Sequence, residues 1–206
     1  MKNKLNANTK LEFAQDNSAI RWAAGWLVRD LQNTCFPVAD PGITIRLVHT
    51  CLHAEAFLIR LYEDVLEISA GDTLGFVYGL LYISREILGV NNFWFWNDQQ
   101  FVPRAGVEIP EDFRYESIPA RIRCRGWFIN DEVLLHTWKI DCREEGPWEM
   151  AFETLLRCGG NMVVPGTGKN AWKYAPLAAS MGLAITHHHA EPLGAELFAS
   201  AYPDLN

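Results

Sequence analysis

No run of 18 apolar residues occurs in this chain, so the sequence holds no candidate for a helix that crosses a membrane. Its opening, MKNKLNANTK, has no apolar core of the kind a secretory leader needs. Basic residues are outnumbered: 18 Lys and Arg stand against 25 Asp and Glu, for a net charge of -7. No basic stripe compensates. Nucleic acid is therefore a poor ligand, because neutralising phosphates takes clustered cations. Cysteine is sparse and scattered. Cys35, Cys51, Cys124, Cys142 and Cys158 are odd in number and contain no CxxC pair, which excludes a disulfide frame and a zinc ribbon and fits a reducing compartment. These absences point to a cytoplasmic protein without membrane or nucleic-acid partners.

What the chain does have is apolar and aromatic. Hydrophobic residues make up 49% of 206, enough for one large domain or two small ones with a real core. Eight are Trp, and NNFWFWND gathers Trp94 and Trp96. Such segments pack at interfaces or line sugar sites, core packing being the commoner role.

The first half reads as a compact α+β layer. Ile20, Ala23, Ala24, Leu27, Val28 and Leu31 recur at helical spacing behind the capping pair Asn17 and Ser18. ITIRLVH (43–49) alternates like a half-buried strand. AFLIRLY and VLEISAG flank Glu63-Asp64 and read as a hairpin. Asp72 caps a second helix through Leu88, closed by Gly89. FVPRAGVEIPEDFRYESIPA, with Pro103, Pro110 and Pro119, reads as a surface linker, and the boundary is set near Glu116. This gives an N-terminal domain over 1–115 and a second over 116–206.

The second half changes grammar. Arg125 to Ile129 reads as a strand, PWEMAFETLLRC as a helix, NMVVP as a strand and AWKYAPLAASMG as a helix that Pro176 must start or kink. LAIT then makes a third strand and AELFASAY a last helix. Alternating strand and helix is the repeat of a parallel sheet, whose chemistry sits at the carboxyl ends of its strands. Polar clusters fall at all three ends: Asn130-Asp131-Glu132, the Pro165-Gly166 turn, and His187 to Glu191.

Each cluster has competing readings. VPGTGKN looks like a phosphate loop, but GxxxxGK[ST] would need Gly at Val163 and Ser or Thr at Asn170. It fails at both ends, so nucleotide binding is set aside. In THHHAEP an extended backbone puts His187 and His189 on one face and His188 on the other. The HExxH spacing of zinc proteases is absent, and donors to a polar ligand fit better than metal ligands. Asp131 and Glu132 are candidates for acid and base in sugar transfer, where paired carboxylates set the outcome. The alternative is a capped polar turn.

Together PARIRCRGWFINDEVLLHTW, FETLLRCGGNMVVPG and MGLAITHHHAEPLG resemble glycoside hydrolase family 115, the xylan α-1,2-glucuronidases. LGFVYGLLYISREILGV and FWFW resemble the end of the small N-terminal domain that precedes the barrel in that family. The resemblance implies an α/β chain: an α+β domain followed by the first three βα units of a (β/α)8 barrel, truncated, since such a barrel takes about 250 residues. It implies Asn130 and Asp131 at the sugar subsite and His188 or His189, with Glu191 beside it, as substrate contacts. Joined to the carboxylate reading above, Asp131 and Glu132 are the expected catalytic residues and Asn130, His188, His189 and Glu191 the expected substrate-binding residues. It implies no metal and no cofactor. The substrate is a uronic-acid-decorated, xylan-type oligosaccharide or polysaccharide, the chain is expected to be inactive by itself, and a homodimer is possible. A non-catalytic carbohydrate-binding or interaction module of the same ancestry is the other reading. Two departures stand out: HHHAEP replaces the family's usual SHHEP, and VPGTGKN replaces a tryptophan-bearing loop.

Overall fold

The computed structural model describes residues 3–13, 17–135, 137–189, 191, 202 and 204. The expected last helix, AELFASAY, lies outside the described residues apart from Tyr202. The chain divides into two units, Met1–Arg121 and Ile122–Asn206.

In the first unit α1 (Ser18–Thr34) starts where Asn17 accepts hydrogen bonds from the Ala19 and Ile20 N–H groups. Its apolar face buries Ile20, Ala23, Ala24, Leu27 and Leu31. Strands β1 (Lys4–Leu5), β2 (Lys10–Glu12), β3 (Thr44–His49), β4 (Phe57–Tyr62) and β5 (Val65–Ala70) accompany it. β4 and β5 form the expected hairpin, with Tyr62 opposite Val65 and Glu63 turned to φ 52° between them. α2 (Thr73–Tyr82) follows, its first turn closed by Asp72 on the Gly75 N–H at 2.8 Å. Gly75 and Gly79, one turn apart, bring α2 close to the sheet. A Cβ at Gly79 would lie 2.5 Å from the Ile68 side chain, and one at Gly75 would lie 2.9 Å from the Ala70 Cβ. The helix then widens into a π turn over Ile83–Ile87, with the Leu88 N–H reaching the Ile83 carbonyl. Asp30, fully buried in α1, accepts from Ser84 Oγ at 2.7 Å and pairs with Arg29 at 2.9 Å, which ties α1 to that turn.

The proline-rich stretch expected as a linker instead adds two strands. β6 (Val107–Glu108) pairs with β1, and β7 (Arg114–Glu116) pairs with β4. Prolines do not prevent this, because short edge strands need few ladder donors. The five-stranded sheet runs β2-β3-β5-β4-β7. Its register lines up one charged row: Glu12, Arg46, Glu67, Arg60 and Arg114 sit on successive strands. Opposite charges facing each other across strands stabilise such a row modestly.

The second unit holds β8 (Gly126–Phe128), α3 (Gly146–Arg157), β9 (Met162–Val164), α4 (Lys169–Ser180) and β10 (Ala184–Ile185). Its sheet is parallel, with β9 between β8 and β10. This is the expected βα repeat. α4 begins at Lys169 and runs through Pro176, so the proline neither starts nor ends it. Trp148 of α3 stacks on Tyr174 of α4 at 3.9 Å, fastening the two helices.

Within α3, Glu153 and Arg157 form an ion pair of 2.7 Å with side chains 1% and 0% exposed. Breaking one side strands the other charge. Glu153→Ala should therefore cost about 3–5 kcal/mol in urea unfolding, while Glu153→Leu with Arg157→Met should cost far less.

Candidate functional site

Gly126 begins β8 against the backbone of β9: a Cβ there would collide with the Met162 carbonyl oxygen. Only glycine allows that approach, which sets Trp127 opposite Val163 and Phe128 opposite Val164. The ladder continues past the strands, from the Ile129 N–H to the Val164 carbonyl and from the Thr186 N–H to the Val163 carbonyl, both 2.9 Å. The three carboxyl ends therefore emerge side by side, and all six residues expected at the site follow β8 or β10.

Asp131 is the best-held of them. It is 1% exposed. Its Oδ1 accepts from the Thr167 N–H at 2.7 Å and from Thr167 Oγ1 at 2.9 Å, and its Oδ2 accepts from Asn170 Nδ2. The buried carboxylate at the end of β8 thus fastens the loop that follows β9. Gly168 makes this possible: its φ of 51° and ψ of -126° suit glycine alone and turn the chain into α4. Trp148 Nε1 donates to the Pro165 carbonyl at 2.8 Å and anchors the same loop from α3. Sequence reasoning weighed Asn170 only as the failing end of a phosphate loop and did not pair Thr167 or Asn170 with Asp131. The cue was present in GTGKN, where a hydroxyl, two glycines and an amide follow an apolar strand.

Asn130 and Glu132, on either side of Asp131, are both exposed. The strand-end stretch therefore has the geometry of a polar turn: one buried acid organises it, and its two polar neighbours face solvent.

The His turn departs from strand alternation because β10 ends at Ile185, before the histidines begin. The His188 ring lies 4.9 Å from Phe128, the last residue of β8, and 3.9 Å from the His189 ring, while His187 lies 5.6 Å from Trp172 of α4. So His188 and His189 sit together near the end of β8, and His187 belongs to a separate contact. Glu191 donates its N–H to the His188 carbonyl at 2.9 Å. Its side chain is buried, 2% exposed, and Oε2 has no hydrogen-bond partner among the described residues. An unpaired buried acceptor is costly, so this oxygen is a natural place for a ligand donor. Among the described residues no group of three His, Cys, Asp or Glu is placed to hold a metal ion.

Ahead of α3, Arg143 meets Glu149 through two bonds of 2.7 Å, and this pairing raises the guanidinium pKa. Glu144 bridges Lys173 at 2.8 Å and Lys139 at 3.1 Å. Those two ammonium groups, Lys173 first, lower the Glu144 pKa to about 2.

The arrangement of elements has counterparts among solved structures similar to this chain. A 4-O-methyl-α-glucuronidase of family GH115, BtGH115A, described as specific for decorated arabinogalactans, matches with a TM-score of 0.72 and 22% identity over 94% of this chain and 30% of its own. A GH20 β-N-acetylhexosaminidase from Streptomyces coelicolor A3(2) matches with a TM-score of 0.60 and 13% identity, over 90% of this chain and 42% of its own. A GH20 exo-β-N-acetylglucosaminidase from Vibrio harveyi matches with a TM-score of 0.58 and 14% identity, over 90% and 33%. These likenesses establish a shared mixed α/β fold, and the chain spans less than half of each structure. Residues 118–202 match the model of Glycosyl hydrolase family 115. Over those residues the chain is similar to family 115, as its strand-end motifs indicated. No curated protein matches it.

The Glu144 bridge makes a direct test of the local electrostatics. Its folded pKa lies below the ordinary glutamate value, so its share of stability is present above that value and is lost as pH falls through about 2. Lys173→Ala should move the Glu144 titration upward, toward the usual glutamate range, read by carboxyl carbon NMR.

Proposed function

We propose that this chain forms the N-terminal domain and the first three βα units of a (β/α)8 glycoside hydrolase that removes uronic-acid decorations from xylan-type glycans, and that it does not turn over by itself. The observation that carries this reading is the meeting of three parallel strand ends, with Asp131 locked in place and the buried Glu191 Oε2 without a partner among the described residues. In an inverting glycosidase a water attacks between two carboxyl groups about 6.5–9.5 Å apart. Asp131, with donors on both oxygens, stands as a fixed carboxylate that orients and stabilises charge. Glu132 is the exposed acid in reach of solvent for proton transfer. Asn130, His188 and His189 offer hydrogen bonds to sugar hydroxyls or to the uronate, and Glu191 Oε2 accepts a hydroxyl. The remaining acid or base comes from later strands of the barrel, which is the reason for expecting no turnover from these three units.

The net charge of -7 makes a decorated, largely neutral glycan a better substrate than a polyanion. The printed specificity of BtGH115A makes decorated arabinogalactan the natural rival substrate. β8 and β10 each pair with one neighbour among the described residues, so edge pairing between two copies gives a homodimer a physical basis. The cysteines form no disulfide among the described residues, in keeping with a proposed cytoplasmic setting. A second reading, a non-catalytic carbohydrate-binding module, is favoured by the full occupation of Asp131 by its own loop.

The deciding experiment assays uronic acid release from 4-O-methylglucuronoxylo-oligosaccharides and from decorated arabinogalactan, using this chain and the chain extended along its reading frame. The extended protein should act on the xylan substrate and the chain alone should not. Asp131→Asn should then lower kcat by roughly 10²–10⁴. Folded but inert protein in both forms, binding glucuronic acid, would establish the binding-module reading instead.

A further inference from the structure

The five-stranded sheet of the first unit has two edges, β2 and β7. In the barrel reading, later strands of the chain take the free sides of β8 and β10. Resting on that reading, the edges of the first unit are the ones left for a second copy. β2 pairs in parallel with β3, Lys10 beside Thr44 and Glu12 beside Arg46. The Lys10 N–H donates to the Ile43 carbonyl at 3.2 Å. In a parallel ladder alternate residues of a strand bond to the same neighbour. Lys10 and Glu12 therefore turn their backbone groups toward β3, and Leu11 turns its N–H and C=O away, along the open edge. Beside that edge an open cavity of about 610 Å³ is lined by Leu11, Glu12, Phe13, Arg46 and Leu47. Leu11 and Leu47 are half-buried, and Phe13 is 36% exposed. Lys10 is exposed and has no carboxylate partner among the described residues. Glu12 accepts from Arg46 Nη2 at 2.9 Å and Nε at 3.0 Å through Oε2, which leaves Oε1 to receive another donor.

An open edge takes up a strand, and the residues of β2 select which one. Lys-Leu-Glu is complementary to itself when read antiparallel. A two-fold axis at Leu11 sets Lys10 opposite Glu12 of the second copy, twice over, and lets the two Leu11 residues exchange both N–H···O bonds. Moved onto Lys10 or Glu12, the axis would call on backbone groups that already bond to β3, and would put like charges face to face. On the diagonals, Phe13 of each copy comes within reach of Leu11 of the other, over the apolar wall of the cavity. β7 is already provided for: Arg114 bonds Glu116 of its own strand at 2.9 Å. We propose that the chain forms a two-fold homodimer through β2, joining the two five-stranded sheets into one continuous sheet. Lys10 of each copy reaches Glu12 Oε1 of the other while Arg46 keeps Oε2. A three-residue strand buries little surface, so the dimer is weak and reversible.

Sedimentation velocity over protein concentrations from about 1 μM to about 1 mM spans the range of a small interface. The sedimentation coefficient should rise with concentration. Lys10→Glu and Glu12→Lys each set like charges face to face and should weaken self-association about tenfold or more. An equimolar mixture of the two variants should restore it, since every charge then faces its opposite. Leu11→Pro takes away the exchanged N–H without removing a bond to β3, and should abolish the dimer while circular dichroism keeps its folded signal. In the unaltered chain, the Leu11 amide should exchange with deuterium more slowly at high concentration. A chain that stays monomeric, with an unchanging Leu11 amide, overturns the proposal. A dimer that both charge variants leave intact overturns it too and moves the contact elsewhere, to β8 or β10. So does a mixture that associates no more tightly than either variant alone, and a monomer whose β2 instead takes up an extended peptide of another protein. None of these readouts involves a sugar, so failure here is distinct from failure of the glycan reading.

Discussion

The second unit depends on one buried carboxylate. Asp131 leaves the end of β8 and fastens Thr167 and Asn170, which belong to the loop after β9. Without that acceptor the Thr167 N–H would be an unsatisfied donor beside a helix start, and nothing would hold two neighbouring strand ends in register beyond their short ladder. The arrangement is mutual. Burial of a carboxylate is tolerable only when its lone pairs are filled, and the loop fills them. Gly126 below and Gly168 above supply the two backbone conditions: a close approach of β8 to β9, and a turn open to glycine alone. Site and fold are here the same set of hydrogen bonds.

Much of this was legible in the residues. The helix behind Asn17, the hairpin at Glu63-Asp64 and the βα alternation after Arg125 all follow from periodicity, caps and turn chemistry, because each is decided within a few residues. What escaped was non-local. β6 and β7 form from a proline-rich stretch because partners on β1 and β4 lie distant in sequence, and a short edge strand has no periodicity to reveal it. The π turn at Ile83–Ile87 likewise leaves no mark on a helical pattern. At the site, the placing of Asn130, Asp131, Glu132 and the histidines after strand ends was readable. The exchange of hydrogen bonds between positions 131 and 167 was not, since it joins residues 36 apart. The His turn failed for a smaller reason: alternation was applied beyond the last residue of β10, where no sheet enforces it.

The first unit is held by close packing instead. Gly75 and Gly79 remove two side chains from α2 so that Ile68 and Ala70 can meet its backbone. The far face of that sheet carries the charged row from Glu12 to Arg114. Charge there leaves that face soluble without adding much stability, since exposed pairs contribute little. The contrast with the second unit is one of degree: apart from the buried Asp30, apolar contact sets the first unit's geometry, and buried charge sets the second unit's.

That contrast explains the most misleading stretch of the chain. GTGKN resembles a phosphate loop because it meets the same physical demand. A loop leading into the N-terminus of a helix offers N–H donors and a favourable field to an anion. In a nucleotide-binding protein the anion comes from outside. Here it is internal: the Asp131 carboxylate takes the Thr167 N–H, the Thr167 hydroxyl and the Asn170 amide, and with them the donors a phosphate would need. Asn170 at the position of a magnesium-binding Ser or Thr is then no defect, since an amide donates to a carboxylate where a hydroxyl would ligate a cation. The loop does bind an anion, and the anion is part of the fold.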